Sequence, residues 1–160
     1  MGVEPRLATV LLPTYLRGLE AEAAIEARGK NINIVTPVPE NLAIEADPRL
    51  LRSAVTNLLQ NELKFSHEQS TVTVKADRSE GRITIEVADG CGGLPPGKAE
   101  LFASLVQRRD NRTGFGLGLG IALQAAETHN GTIKAKDTPG TGCAFIIDLP
   151  STSPTSTSTA

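Results

Sequence analysis

Two neighbouring segments in the middle of the chain alternate strictly between apolar and polar residues. They run from Thr71 to Ala76 and from Arg82 to Ala88, and the connection between them, Asp77–Gly81, has a glycine at its end. Alternation with a period of two predicts β-strands that bury one face, and this connection predicts an antiparallel hairpin. Other parts of the chain must therefore cover one face of a sheet.

Three segments with helical periodicity can provide that cover. The first runs from Pro13 to Arg28 and stops at Gly29, and the third runs from Leu117 to Thr128. The second begins at Asp47-Pro48, a side-chain cap followed by proline, and continues to about Phe65. Further β-strands are predicted at Asn31–Val38, Leu42–Ala46, Thr132–Lys136 and Cys143–Leu149. The order predicts an α/β sandwich, in which a mixed, mostly antiparallel sheet of about five strands carries three helices on one face.

Length and composition exclude several classes of protein. The 160 residues suffice for one domain and not for two ordinary ones. With a net charge of −2 and scattered Lys and Arg, nucleic acid is not expected as a partner. Without an apolar run of roughly 20 residues, we expect this piece to be cytoplasmic and not membrane-inserted, even if a parent protein is membrane-anchored. Cys91 and Cys143 fit neither a disulfide framework nor a zinc site.

The second predicted helix carries a narrow polar stripe beside a broad apolar face. The stripe consists of Asn57, Asn61 and Lys64. An amide oxygen can ligate Mg²⁺, and a lysine one turn later can meet phosphate oxygens. The alternative is that these residues only mark the solvated flank of the helix.

Two further features point to an anion or nucleotide site. Strand parity directs Asp89 inward, where its carboxylate would accept N–H groups from its own glycine-rich turn or the amino group of a purine. Glycines in the segment Gly114–Gly120 precede a helix, where exposed N–H groups suit phosphate, although such a segment can also be a hinge. The segment fits neither the dinucleotide fingerprint nor the P-loop.

In this order, the motifs resemble those of the GHKL superfamily, which groups gyrase-like ATPases, Hsp90, MutL and histidine kinases. The match within it is to histidine kinases. Asn57–Phe65 resembles their N box, Asp89–Pro95 their first glycine box and Leu101-Phe102 their F box. Gly114–Leu119 resembles their second glycine box, and Gly140–Phe145 resembles their closing Gly-x-Gly-Thr-x-Phe stretch. The resemblance implies a Bergerat-type ATP-binding domain at residues 30–150. Residues 1–29 would be an N-terminal helix, either the domain's own or a linker stub from a missing dimerisation domain, and residues 151–160 a disordered Ser/Thr tail.

The resemblance also implies roles for individual residues. Asn61 would ligate Mg²⁺, Asn57 and Lys64 would approach the phosphates of ATP, and Asp89 would read adenine. Residues 95–113 would form an ATP lid, whose basic residues would meet the γ-phosphate or simply be solvated; these are Lys98, Arg108, Arg109 and Arg112. The remaining candidates for the nucleotide pocket are Gly93, Leu94, Gly114, Gly116, Leu117, Gly118, Leu119 and Cys143.

The expected reaction follows from the residue at position 57. Gyrase-like and Hsp90-like relatives place a glutamate there to activate water, whereas Asn57 cannot act as a general base. The resemblance then implies transfer of the γ-phosphoryl group to a histidine on a dimerisation domain, for relay to a response regulator receiver domain. Neither His67 nor His129 fits a phosphoacceptor pattern, so the acceptor would lie elsewhere. We expect a monomer as an isolated domain and a dimer in the full-length parent.

Departures from the family pattern leave other functions open. Cys91 replaces a glycine and Cys143 a threonine, both around the base, where the two thiols would lie together or act as small apolar side chains. Glu62 stands where alanine is usual and points into the apolar face, so it needs a basic partner or must reach solvent. The alternatives are a degenerate nucleotide-binding or protein-interaction module and a serine kinase of the anti-sigma-factor type.

Overall fold

The computed structural model describes residues 5–66, 68–89, 117–138 and 142–150. Within these ranges the chain forms seven strands and three helices. The helices are α1 (Leu12–Gly29), α2 (Pro48–Phe65) and α3 (Leu117–Thr128). The strands are β1 (Ala8–Leu11), β2 (Asn33–Val35), β3 (Ala43–Ala46), β4 (Thr71–Ser79), β5 (Arg82–Asp89), β6 (Thr132–Thr138) and β7 (Gly142–Pro150).

Five of the strands form one sheet in the order β2-β4-β5-β7-β6. Only β2 and β4 are parallel, and the other three pairs are antiparallel. The chain passes through α2 between β2 and β4, as a parallel connection requires. The predicted mixed, mostly antiparallel sheet with three helices is confirmed.

The central hairpin turns more tightly than predicted. Residues Glu80 and Gly81 have φ angles of 53° and 79°, the conformation of a two-residue type I′ turn. Strand β4 therefore extends to Ser79, which pairs with Arg82. The predicted five-residue connection was wrong because this turn matches the twist of the strands and lets the ladder continue.

A second, two-stranded sheet lies at the start of the chain. Strand β1 was not predicted, and it pairs antiparallel with β3 from Ala8↔Ala46 to Leu11↔Ala43. The predicted strand at Leu42–Ala46 is present but lies outside the main sheet. The predicted strand at Asn31–Val38 shrinks to the three residues of β2, because prolines follow at positions 37 and 39 and cannot donate to a ladder.

One apolar core lies between the helices and one face of the main sheet. The inward apolar residues of β5 and β7 are at most 4% exposed, and α2 buries the apolar face that its periodicity predicts. Helix α1 adds Leu12, Leu16 and Leu19, and α3 adds Leu123 with several alanines. The other face of the sheet carries polar residues such as Lys75, Thr84 and Glu86.

Candidate functional site

Helix α2 begins at a charged cap. The Asp47 carboxylate accepts hydrogen bonds from the backbone N–H of Arg49 at 3.0 Å and from that of Arg6 at 2.9 Å. The Arg6 N–H is the largest influence that lowers the pKa of Asp47, to about 2, and the Arg49 side chain and backbone add to it against the opposing effect of burial. Asp47 is thus an anion at the positive end of the helix, as the sequence predicted for a capping residue.

Two asparagines of α2 have the same side-chain orientation. The amide nitrogen of Asn57 donates to the Ser53 carbonyl at 2.7 Å, and that of Asn61 donates to the Asn57 carbonyl at 3.0 Å. Their Oδ1 atoms accept no hydrogen bond within the described part of the chain. Because amide oxygens are ligands that Mg²⁺ accepts, the Oδ1 of Asn61 is compatible with the metal-binding role predicted for that residue, which stays a prediction.

The start of α3 lies beside these asparagines. Asp47 at the start of α2 contacts His129 just after the end of α3, and the two helices pack along each other, so they run antiparallel. At about 1.5 Å per residue, Asn57 and Asn61 lie about 15 and 21 Å along α2 from Asp47, and Leu117 lies about 18 Å along α3 from His129. The N-terminus of α3 is therefore level with the two amide oxygens.

Asp89 ends β5 on the inner face of the sheet, as its parity predicted. It pairs with Val72 and is 8% exposed. The backbone of Cys143 lies at the same end of the sheet, because Ala144 is the partner of Ala88. Whether Asp89 accepts N–H groups from residues 90–93 lies outside the described residues.

Several predicted site residues cannot be placed. Cys91, Gly93, Leu94, Lys98, Arg108, Arg109, Arg112, Gly114 and Gly116 lie outside the described residues. Leu117, Gly118 and Leu119 form the first turn of α3, where only the backbone is described, and the same holds for Cys143 in β7. Lys64 is exposed on α2. The roles assigned to all of these residues stay predictions.

Glu62 is the least expected residue of α2. It is fully buried, so the alternative that its carboxylate reaches solvent was wrong. Periodicity had already placed it on the apolar face of the helix.

His129 is a structural residue that sequence reasoning did not identify. Its Nε2 accepts the backbone N–H of Asp47 at 2.9 Å, and its Nδ1 lies 2.8 Å from the Ala125 carbonyl. The only signal in the sequence was its position before Asn130-Gly131 at a predicted helix end, which gives no information about a partner 82 residues away.

Within the described ranges, no helix is both long and apolar enough to cross a membrane. The same ranges hold no group of three or more His, Cys, Asp or Glu residues that could bind a metal ion.

Comparison with known proteins gives consistent matches. The family model of histidine kinase-, DNA gyrase B-, and HSP90-like ATPases matches residues 46–153. The sensor protein TorS of Escherichia coli is 36% identical over 127 residues, which are 77% of this chain and 14% of TorS. The catalytic domain of histidine kinase ThkA has a TM-score of 0.78 at 21% identity, covering 91% of this chain and 96% of that domain. Full-length ShkA in complex with AMPPNP has a TM-score of 0.77 at 29% identity, covering 94% of this chain and 32% of ShkA.

The chain spans 14–38% of the length of the first curated relatives. The matches agree with the motifs in α2, at the end of β5 and before α3, and with the mixed sheet. The chain belongs to the family of histidine kinase-, DNA gyrase B-, and HSP90-like ATPases.

Proposed function

We propose that this chain is the ATP-binding catalytic domain of a cytoplasmic sensor histidine kinase module. It transfers the γ-phosphoryl group of ATP to a histidine on a dimerisation domain of the same kinase, for relay to a response regulator receiver domain. Membership of the ATPase family supports the nucleotide, and the matched sensor kinases favour histidine as the acceptor.

The observation that carries this proposal is the alignment of α2 with the start of α3. Two amide oxygens that accept no hydrogen bond within the described chain lie level with a helix N-terminus. A helix N-terminus favours phosphate, and Mg²⁺ bound between asparagine and phosphate oxygens would neutralise the charge of the triphosphate. Asn61 would hold the metal, whereas Asn57 and Lys64 would face the phosphates.

The opposite wall of the pocket would read the base. Asp89 is an inward carboxylate at the end of a strand, where it can accept the amino group of adenine. Cys143 would lie beside it, and Gly93 and Leu94 would continue the wall. Gly114, Gly116, Leu117, Gly118 and Leu119 would line the phosphate side, and Arg108 and Arg112 would approach the γ-phosphate.

The residue at position 57 favours phosphoryl transfer over hydrolysis of ATP. Asn57 carries a neutral amide, which is not basic enough to take the proton of an attacking water. ATP would then persist in the pocket until an external nucleophile reaches the γ-phosphate.

The N-terminal helix belongs, in this proposal, to the catalytic domain. The Tyr15 hydroxyl donates to the carbonyl of Pro48, the first residue of α2. Burial is the main influence that raises the pKa of Tyr15 to about 12, so the hydroxyl keeps its proton at neutral pH. Leu12, Leu16 and Leu19 of the same helix lie in the core.

Titration calorimetry with AMPPNP, with Mg²⁺ and with EDTA, tests the nucleotide site. We expect wild type to bind AMPPNP more tightly with Mg²⁺ than with EDTA. With Mg²⁺, the Asn61→Ala variant should bind at least about tenfold more weakly than wild type, which is a loss of about 1.4 kcal/mol. Gln60→Ala, at an exposed neighbouring position of the same helix, is the matched control and should bind like wild type. Equal affinities for the two variants, or no wild-type binding at millimolar AMPPNP, would contradict the proposal.

A further inference from the structure

The contact between His129 and Asp47 joins the two helices that border the proposed pocket. The imidazole accepts the Asp47 N–H through Nε2, so its proton lies on Nδ1, which donates to the Ala125 carbonyl. One ring thus bonds the start of α2 to the last turn of α3. Both bonds have the length of ordinary hydrogen bonds and fix the ring in one orientation.

The described buried side chains of α3 are mostly small. The buried surface of α3 includes three alanines, Ala122, Ala125 and Ala126, with Leu123 as the larger buried side chain. Helices hold their register when large side chains fit between the ridges of the partner, and methyl groups form shallow ridges. A directional hydrogen bond at the end of α3 therefore adds a constraint on the position of this helix along α2.

The chain that follows His129 is held against the main sheet. A Cβ atom on Gly131 would lie 2.4 Å from the Asp148 carbonyl oxygen and 2.5 Å from the Leu149 side chain. The chain leaving α3 therefore lies against β7 without room for a side chain. Since Asp47 also accepts the Arg6 N–H, the anchor continues from β7 through His129 and Asp47 to the segment before β1.

We propose that His129 is a positioning residue, which sets how far the start of α3 lies from Asn57 and Asn61 and so adjusts the pocket to the triphosphate. This inference rests on the proposed nucleotide site. A shift of α3 by one residue along its axis would displace its N-terminal N–H groups by about 1.5 Å. A displacement of that size lengthens a donor–acceptor distance enough to break a hydrogen bond.

Two substitutions separate the bonds of the ring. His129→Gln places an amide oxygen near the position of Nε2 and can still accept the Asp47 N–H. His129→Asn is shorter, can still reach the Ala125 carbonyl, and loses the bond to α2. Affinity for AMPPNP with Mg²⁺, measured by calorimetry well below the melting temperature, should fall three- to tenfold in His129→Asn and stay within twofold of wild type in His129→Gln.

A third variant controls for stability alone. Ile34→Val removes one buried methylene group from β2, a strand whose main neighbours are α1 and β4. It should lower the melting temperature and leave the affinity for AMPPNP unchanged. If wild type binds AMPPNP and His129→Asn binds it equally well, the inference is wrong while the proposed function stands. Equal losses in His129→Asn and Ile34→Val would also overturn it, and failure of wild type to bind would instead reject the nucleotide site.

Discussion

Asp47 shows how one buried residue combines local and distant contacts. Its capping role follows from the sequence Asp47-Pro48, because a cap bonds to N–H groups two or three residues later. Its bonds to Arg6 and His129 span 41 and 82 residues, and no local pattern predicts such separations. The sequence therefore predicted where α2 begins but not what holds its start in place.

The charge of Asp47 predicts sensitivity to acid. Its folded pKa of about 2 lies below its ordinary value of 3.8, so its stabilisation is complete above about pH 4 and is lost as the pH falls toward 2. Urea unfolding of wild type should show this decline. Asp47→Asn should be less stable by about 1–2 kcal/mol near pH 6, because its amide cannot accept all the same N–H groups.

The Asp47→Asn variant should also show a smaller loss of stability between pH 4 and 2. If the two proteins lose the same free energy of unfolding over this range, the lowered pKa of Asp47 is not the cause of the decline.

At the scale of elements, long helices were easier to predict than short strands. The apolar periodicity of α1, α2 and α3 extends over 12 to 18 residues and predicted their ends within about one residue. Strand β1, with four residues, was not predicted, and β2, with three residues, was predicted too long. They form because β3 and β4 offer partners, which is a property of the assembled fold.

The end of α3 gives a prediction about one glycine. Gly131→Ala should lower the free energy of unfolding by roughly 2–4 kcal/mol, because the new methyl group would overlap the Asp148 carbonyl and force backbone movement. Gly18→Ala is the matched control, since its methyl group would meet nothing within 4 Å inside α1. That variant should be more stable by up to about 1 kcal/mol. Urea denaturation measures both, and a Gly131→Ala protein as stable as wild type would contradict the close approach of α3 to β7.

For the whole molecule, the sequence predicted the family and the place of the proposed pocket. Ordered motifs identified α2, Asp89 and the start of α3, and strand parity placed Asp89 on the inner face. The sequence did not show that α2 and α3 run antiparallel, because this direction is revealed by a contact between Asp47 and His129, which are 82 residues apart. The antiparallel packing brings motifs about 60 residues apart in the chain to the same level.

The position of α1 predicts that it unfolds together with the sheet. Leu16 is 1% exposed and belongs to the common core, whereas Ile25 on the same helix is 78% exposed. Leu16→Ala should lower the free energy of unfolding by about 2–5 kcal/mol, and Ile25→Ala should change it by less than about 0.5 kcal/mol. Unfolding followed by far-ultraviolet circular dichroism and by Tyr15 fluorescence should give one coincident transition in each protein. A linker helix would instead melt separately, and Leu16→Ala would then shift the Tyr15 transition while the main circular-dichroism transition stays in place. A coincident shift in both signals would assign residues 12–29 to the catalytic domain, because a helix that shares a core cannot unfold without exposing it.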